Sequence, residues 1–400
     1  MKEKRPTSAL LGAAFLMATS AIGPGFLTQT SKFTEQLLTS FGFVILISLI
    51  LDIGTQINIW RIISLSNKRA QDIANTILPG LGLFLAILIG FGGLVFNIGN
   101  FAGTGLGLNA LTGLSIETGA IISAAIALAI FWSKNTGKIV DVVVKFLGLV
   151  MILFTLYIAF SSGPPLGEAV MRTFWPEKID ALMIVTLVGG TVGGYISFAG
   201  AHRLIDAGIT GREAIPRVTR SAVQGILLTT FMRYILFLAV LGVVSKGYVL
   251  DAENPAGSVF RQAAGDPGYR FFGLVMWSAA ITSVIGASYT SVSFFRTIHP
   301  FIEKNHRSIV SAFIILSAAI FIWNKKSPGS LLILAGAVNG LILPLALTVM
   351  LVAYSYKKIV GGYTQPLWLK LAGWMVVGIM AWMAAVSLKE SLPGLFNLLI

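Results

Sequence analysis

Two stretches of the chain carry glycines where a continuous helix would not. Near the start it reads Gly23-Pro24-Gly25-Phe26 within an apolar run, and about 170 residues later Gly189-Gly190-Thr191-Val192-Gly193-Gly194-Tyr195 within another. Proline removes a backbone donor, and glycine removes the Cβ that restrains φ and ψ, so both helices are expected to open there. The half-helix beyond such a gap presents free N–H groups and a positive dipole end, which suit an anionic group. Glycine-interrupted spans at matching positions of two halves point to the substrate site of a transporter built on inverted repeats. Either motif alone points rather to a kink or close helix packing; the matched pair reverses this and favours the site.

After the first gap, Thr28, Gln29, Thr30 and Ser31 offer hydroxyl and amide groups, and Lys32 a full positive charge if it faces the cavity. Phe26, Tyr195 and Phe198 would furnish apolar walls. With Gly23, Gly25, Gly193, Gly194, and Asn97 and Asn100 from the third apolar run, these residues make the expected substrate site. No acid is visible at either gap, so the favoured cargo is a small carboxylate: an amino acid, a lactam acid or a related organic acid. The Thr-Gln-Thr-Ser run can also bond back to its own helix. An ionisable residue within a span costs about 2.5 to 3.5 kcal/mol, so each asks for a partner. Lys32 and Glu35, three apart, can pair on one helix face. Glu35 and Asp52 are candidates for a coupling proton, with Asp52 and Arg233 read first as structural. Ser288 and Ser291, with Ser283, Thr290 and Ser293 beside them, are candidates for a Na⁺ site, and Asn339 is a further coupling or gating candidate. His202, Arg203 and Asp206 read as a gate or a solvated pair.

The composition says what must position these groups. Of 400 residues 56% are hydrophobic and 11% charged, against about 25% charged in soluble domains. The chain is therefore a membrane protein, which excludes a soluble enzyme and a nucleic-acid module. No nucleophile, base and orienter cluster is visible, so an enzyme is not expected. No cysteine is present, so there is no thiolate metal site and no disulfide framework. Neither a metal site nor a cofactor is expected, apart from H⁺ or Na⁺ as coupling ion.

Hydropathy places eleven spans, near residues 8 to 31, 39 to 61, 77 to 103, 116 to 132, 139 to 161, 180 to 206, 219 to 244, 270 to 295, 308 to 323, 329 to 356 and 366 to 388. The net charge of +13 falls between the runs, and with the N-terminus inside, the inner segments carry about twice the Lys and Arg of the outer ones. That asymmetry favours a plasma-membrane protein with its N-terminus cytoplasmic and its C-terminus outside. A cleaved signal peptide is disfavoured, because no A-x-A-like site precedes Gly23. The longest polar loop, 245 to 269, would lie outside. One domain, 1 to 400, is expected: repeats at about 8 to 161 and 180 to 356, and an extra helix at about 366 to 388. A lipid bilayer and a small molecule are its expected partners, and it should function as a monomer.

The motifs resemble the Nramp family of proton-coupled divalent-metal transporters. Leu11 to Phe26 follows that family's L-G-P-G-F-L-A-A-x-A-x-I-D-P-G-N without a gap, with Gly23 at the metal-binding Asp and Phe26 at the Asn. Leu94 to Ser115 is similar to the family's third span, keeping Gly103, Asn109 and Gly113, with Asn97 and Asn100 where two acids relay protons. Leu187 to Val192 looks like L-x-G-A-T-V, but Gly193-Gly194-Tyr195 replaces Met-Pro-His. Leu332 to Pro344 is similar to L-I-L-S-Q…L-P, with Gly336 at the Gln. The resemblance implies an all-α, LeuT-like fold, a 5+5 inverted repeat with discontinuous helices 1 and 6 plus an eleventh helix. It also implies that the metal ligands and the proton relay are gone, since a transition metal needs carboxylate, thioether or imidazole donors. Asn97 and Asn100 cannot titrate. The expected function is a secondary transporter of a small organic anion or amino-acid-like carboxylate, coupled to H⁺ or Na⁺. The alternatives are a divalent metal transporter of the Mn²⁺/Mg²⁺ type and a non-transporting membrane sensor.

Overall fold

The computed structural model describes residues 22–133, 136–324 and 326–396; within 136–145, and within 387–396 apart from Lys389, only the backbone course is described. The first half of the first span, the basic N-terminal segment and the signal-peptide question at residues 1–21 lie outside the described residues. Among the described residues the regular structure is helical throughout. In chain order the helices are α1 (Pro24–Leu37), α2 (Phe41–Ser66), α3 (Ala70–Ile77), α4 (Leu81–Thr112), α5 (Ile116–Trp132), α6 (Thr136–Ser161), α7 (Leu166–Phe174) and α8 (Ala181–Thr191). They continue as α9 (Tyr195–Asp206), α10 (Ile215–Val244), α11 (Pro255–Ser293), α12 (Pro300–Lys304), α13 (His306–Trp323), α14 (Pro328–Ala353), α15 (Lys357–Val360) and α16 (Leu367–Phe396).

By length and composition, eight described stretches can cross a membrane, or nine if the bent pair α6 and α7 is one span. One of the eight, Pro24–Ser66, holds both α1 and α2, joined at Leu38, whose φ is 49°. Phe146, Phe160, Trp368 and Trp382 stand exposed on the outside of the bundle. Such residues belong against lipid rather than water.

Local chemistry sets the ends. Pro24 sits at the first position of α1, where its missing N–H costs nothing. Asp180 accepts the Met183 N–H at 2.9 Å to start α8. Gly113 ends α4 at φ 81°, a conformation that favours glycine. This third span therefore runs nine residues past the expected end at 103, because the small residues after Asn100 pack rather than break: Gly107 lies against the Trp277 backbone of α11 and Gly105 against Ile116 of α5.

Two loops contain helix that hydropathy alone does not reveal. α7 turns 108° from α6. The 245–269 segment becomes helical from Pro255, with a kink at Ala264 and Gly265 before α11 continues. Inside the bundle α4 packs against α11, α14, α5 and α13, while α8 packs against α14.

Candidate functional site

The second expected break is present, and at the first the described residues begin with the bend at 22 and 23 that leads into α1. Gly23 is extended (φ −108°, ψ −171°) immediately before α1. The second helix stops at Thr191, passes through Val192, Gly193 and Gly194, and restarts at Tyr195 as α9. Gly194 has φ 51°.

Glycine at these positions answers to packing as much as to cargo. A Cβ on Gly194 would overlap Asn339 Oδ1, and one on Gly193 would lie 2.8 Å from Asn339 O. Asn339 of α14 is fully buried and donates from Nδ2 to Gly92 O at 3.0 Å and to Ala335 O at 2.8 Å. It braces the break against α4 and α14. Gly25 is less crowded: a Cβ there would lie 3.6 Å from both Leu332 O and Gln29 Nε2.

The polar run on α1 is wholly buried. Gln29 donates from Nε2 to Leu332 O at 3.1 Å, and its amide fills the space left by two glycines on other helices. A Cβ on Gly190 would come within 2.6 Å of Gln29 Oε1, and one on Gly336 would overlap Gln29 Nε2. Thus the amide missing at position 336 is supplied from α1 instead. The hydroxyls of Thr28, Thr30 and Ser31 have no partner in the protein, whereas Thr34, one turn on, bonds back to Thr30 O. Four consecutive residues occupy all sides of a helix, so no one cavity is lined by all of them.

Tyr195 packs its ring edge-on to Phe96 with centroids 5.3 Å apart. Its hydroxyl and both side-chain polar atoms of the buried Asn100 have no hydrogen-bond partner. Phe198 packs instead on Phe294 and His202, at the far side of α9 from the break. Asn97 does different work: Nδ2 donates to Ser288 Oγ at 3.0 Å and Ser317 Oγ at 3.1 Å, tying α4, α11 and α13 together. Ser288 is further committed to Val284 O, while Ser283 Oγ and Ser291 Oγ are unpartnered.

Lys32 pairs with Glu35 at 2.7 Å, and Glu35 Oε1 accepts the Leu250 N–H at 2.8 Å. The pair anchors α1 to the loop before α11 at a partly exposed position. His202 is buried and accepts the Ala70 N–H at 3.3 Å; Arg203 is exposed, and Asp206 pairs with Arg69 at 2.8 Å. Together these join the end of α9 to the start of α3.

One residue reaches both breaks. Arg233 of α10 is 1% exposed, and its Cζ lies 4.4 Å from the centroid of the Phe26 ring. Its Nη1 donates to Thr191 Oγ1 at 2.9 Å, on the last residue of α8. Asp52 of α2 is also fully buried, yet neither of its side-chain oxygens has a hydrogen-bond partner and no ion pair within 4 Å joins it to Arg233. The structural role expected for Arg233 thus falls at the centre of the site. An arginine deep within the apolar 219–244 run is the signal the sequence offers for it. Among the described residues, no group of three or more His, Asp or Glu is placed to hold a metal ion.

Long apolar helices, one of them interrupted at 192–194 beside the start of α1, are the architecture of a secondary transporter of the LeuT-like class. The architecture is similar to that of a manganese transporter from Eremococcus coleocola (TM-score 0.72, 14% identity, 99% of this chain and 90% of that one). It is also similar to that of MhsT in complex with L-phenylalanine (TM-score 0.67, 14% identity, 96% and 98%). The chain belongs to the Nramp family, whose "Natural resistance-associated macrophage protein-like" model matches residues 14–390. Relatives include the uncharacterized membrane protein YcsG of Bacillus subtilis (60% identical; 98% of this chain, 96% of that protein). The divalent metal cation transporter MntH of Agrobacterium fabrum is 24% identical over 94% of this chain and 86% of its own length.

Proposed function

We propose that this multi-pass membrane protein holds its cargo between residues 23–26 and 192–195 and moves it by alternating access. The observation that supports this is the approach of the start of α1 to the break at 192–194, with Arg233 against both Phe26 and Thr191, since it gives one site reachable from either side by rocking the elements around it. The same reading takes residues of about 8 to 161 and 180 to 356 as two repeats, with 366 to 388 outside them. It takes H⁺ or Na⁺ as the coupling ion, a monomer as the working unit, and a plasma-membrane location with the N-terminus inside and the C-terminus outside.

For the cargo, the comparisons support a divalent metal cation better than the small organic anion expected from the sequence. The Agrobacterium fabrum relative is named for divalent metals and the Eremococcus coleocola structure is of a manganese transporter. A hydrated Mn²⁺ or Mg²⁺ would meet freed carbonyls, Gln29 Oε1, Asn100 and the Tyr195 hydroxyl, with Asp52 as the nearby carboxylate. One observation supports the anion as second reading: the buried guanidinium of Arg233 faces both breaks. A fixed positive charge in a low-dielectric site repels a metal ion and attracts a carboxylate.

Proteoliposomes decide between them. Quenching of an entrapped metal-sensitive dye by Mn²⁺ supports the cation reading, and accumulation of a labelled amino acid or organic acid without quenching supports the anion reading. Binding without accumulation of either would refute transport and leave a sensor.

A further inference from the structure

If the cargo is an anion, one side chain is built to recognise it. Resting on that second reading, we infer that Arg233 is the carboxylate-recognising residue of this protein.

The guanidinium uses only part of its hydrogen-bonding capacity. Nη1 is committed to Thr191 Oγ1, and one face is covered by the Phe26 ring. Nε and Nη2 have no partner in the protein although the residue is 1% exposed. Those two nitrogens share the side edge of the guanidinium, the edge that takes a carboxylate through two parallel hydrogen bonds. Taking a charge out of water costs several kcal/mol unless it is paired and hydrogen-bonded. No carboxylate satisfies this edge from within the protein: the two oxygens of the buried Asp52 are themselves without a hydrogen-bond partner. A small monocarboxylate on the Nε and Nη2 edge would satisfy Arg233 directly.

The surroundings suit such a ligand. α1, fourteen residues long, begins at Pro24 beside Phe26, so its N-terminal N–H groups and dipole add to the same positive field. The hydroxyls of Thr28 and Tyr195 and the amide of Asn100 are buried and unpartnered, offering groups for the rest of a polar cargo. The ring of Phe26 holds the guanidinium plane in place, which reduces what must be ordered on binding.

The test is thermal unfolding of the full-length protein in detergent, titrated with an amino acid, a lactam acid and a 2-hydroxy acid, with the amide of each, and with Mn²⁺ alone. At least one acid should raise the unfolding temperature while its amide does not. Arg233→Lys, which keeps the charge but loses the fork, should weaken that acid about 10- to 100-fold, the value of one or two charge-assisted hydrogen bonds. The Arg233→Gln, Asp52→Asn double variant, which removes both buried ionisable groups, is the folding control, and it should not bind the acid. An acid that stabilises wild type and double variant alike overturns the role of Arg233 and leaves the anion reading standing. If no acid stabilises the wild type, the inference falls, and stabilisation by Mn²⁺ in that case takes the anion reading with it.

Discussion

Gly194→Ala probes how the second break is held open. An alanine at φ 51°, ψ −126° costs about 2 kcal/mol in backbone strain. Its Cβ would overlap Asn339 Oδ1, so the asparagine must move. Moving it forfeits the bonds to Gly92 O and Ala335 O, about 1 kcal/mol each. The total is about 4 kcal/mol, and a fall of roughly 5 °C in unfolding temperature is expected. Asn339→Ala alone should cost about 2 kcal/mol for the same two bonds. The double variant should also cost about 4 kcal/mol, because the obstacle and the bonds are then already gone and only the strain is added. The two substitutions are therefore non-additive by about 2 kcal/mol, readable from thermal or denaturant unfolding in detergent. Additive costs, or a Gly194→Ala variant as stable as wild type, would refute the bracing role of Asn339.

Asn97→Ala should destabilise by about 2 kcal/mol, one for each bond to Ser288 and Ser317, while leaving cargo affinity unchanged in a binding titration; a selective loss of affinity would move Asn97 into the site. Glu303 sits in the short helix α12, and its hydrogen bond from Arg296 holds its carboxyl below the usual value of 4.5. A depressed folded-state pKa stabilises above the unfolded value and loses that contribution as pH falls through the folded one. Glu303→Gln should accordingly lower stability at neutral pH, and the difference from wild type should shrink on acidification below about pH 4.5.

The breaks are legible in the sequence because glycine and proline act where they stand. Gly193-Gly194 opens the chain, and Gly23-Pro24 starts α1, through local backbone preference, and no distant contact is needed to anticipate it. Helix ends are less legible: α4 continues to Thr112 because Gly105 and Gly107 are there for neighbours that only the folded state brings near. The same limit applies to the site. Arg233 lies 42 residues from Thr191 and on a different helix from Phe26, so its place between them is a tertiary fact. Gln29 has the chemistry of a ligand, but its amide fills the gap between Gly190 and Gly336. A glycine replacing the family's glutamine at 336, together with a glutamine at 29, is the trace of that exchange in the sequence. Ser288 has the chemistry of a cation ligand, and it holds Asn97 instead, since a hydroxyl within reach of an amide on a facing helix is spent there.

The backbones of α8 and α14 touch where no side chains intervene: a methyl on Gly189 would overlap Gly336 O and Gly340 N, and one on Gly340 would overlap Val185 O. Surfaces so close have no room to slide or roll past each other. Under the proposed alternating access, the rearrangement must carry this pair as a single rod. The give has to come from joints elsewhere, at Val192 to Gly194 on one end and around Gly23 on the other helix. Spin labels placed along α8 and α14 would keep one fixed separation through the whole cycle, and that constancy would identify the pair as the stator or the lever of the machine.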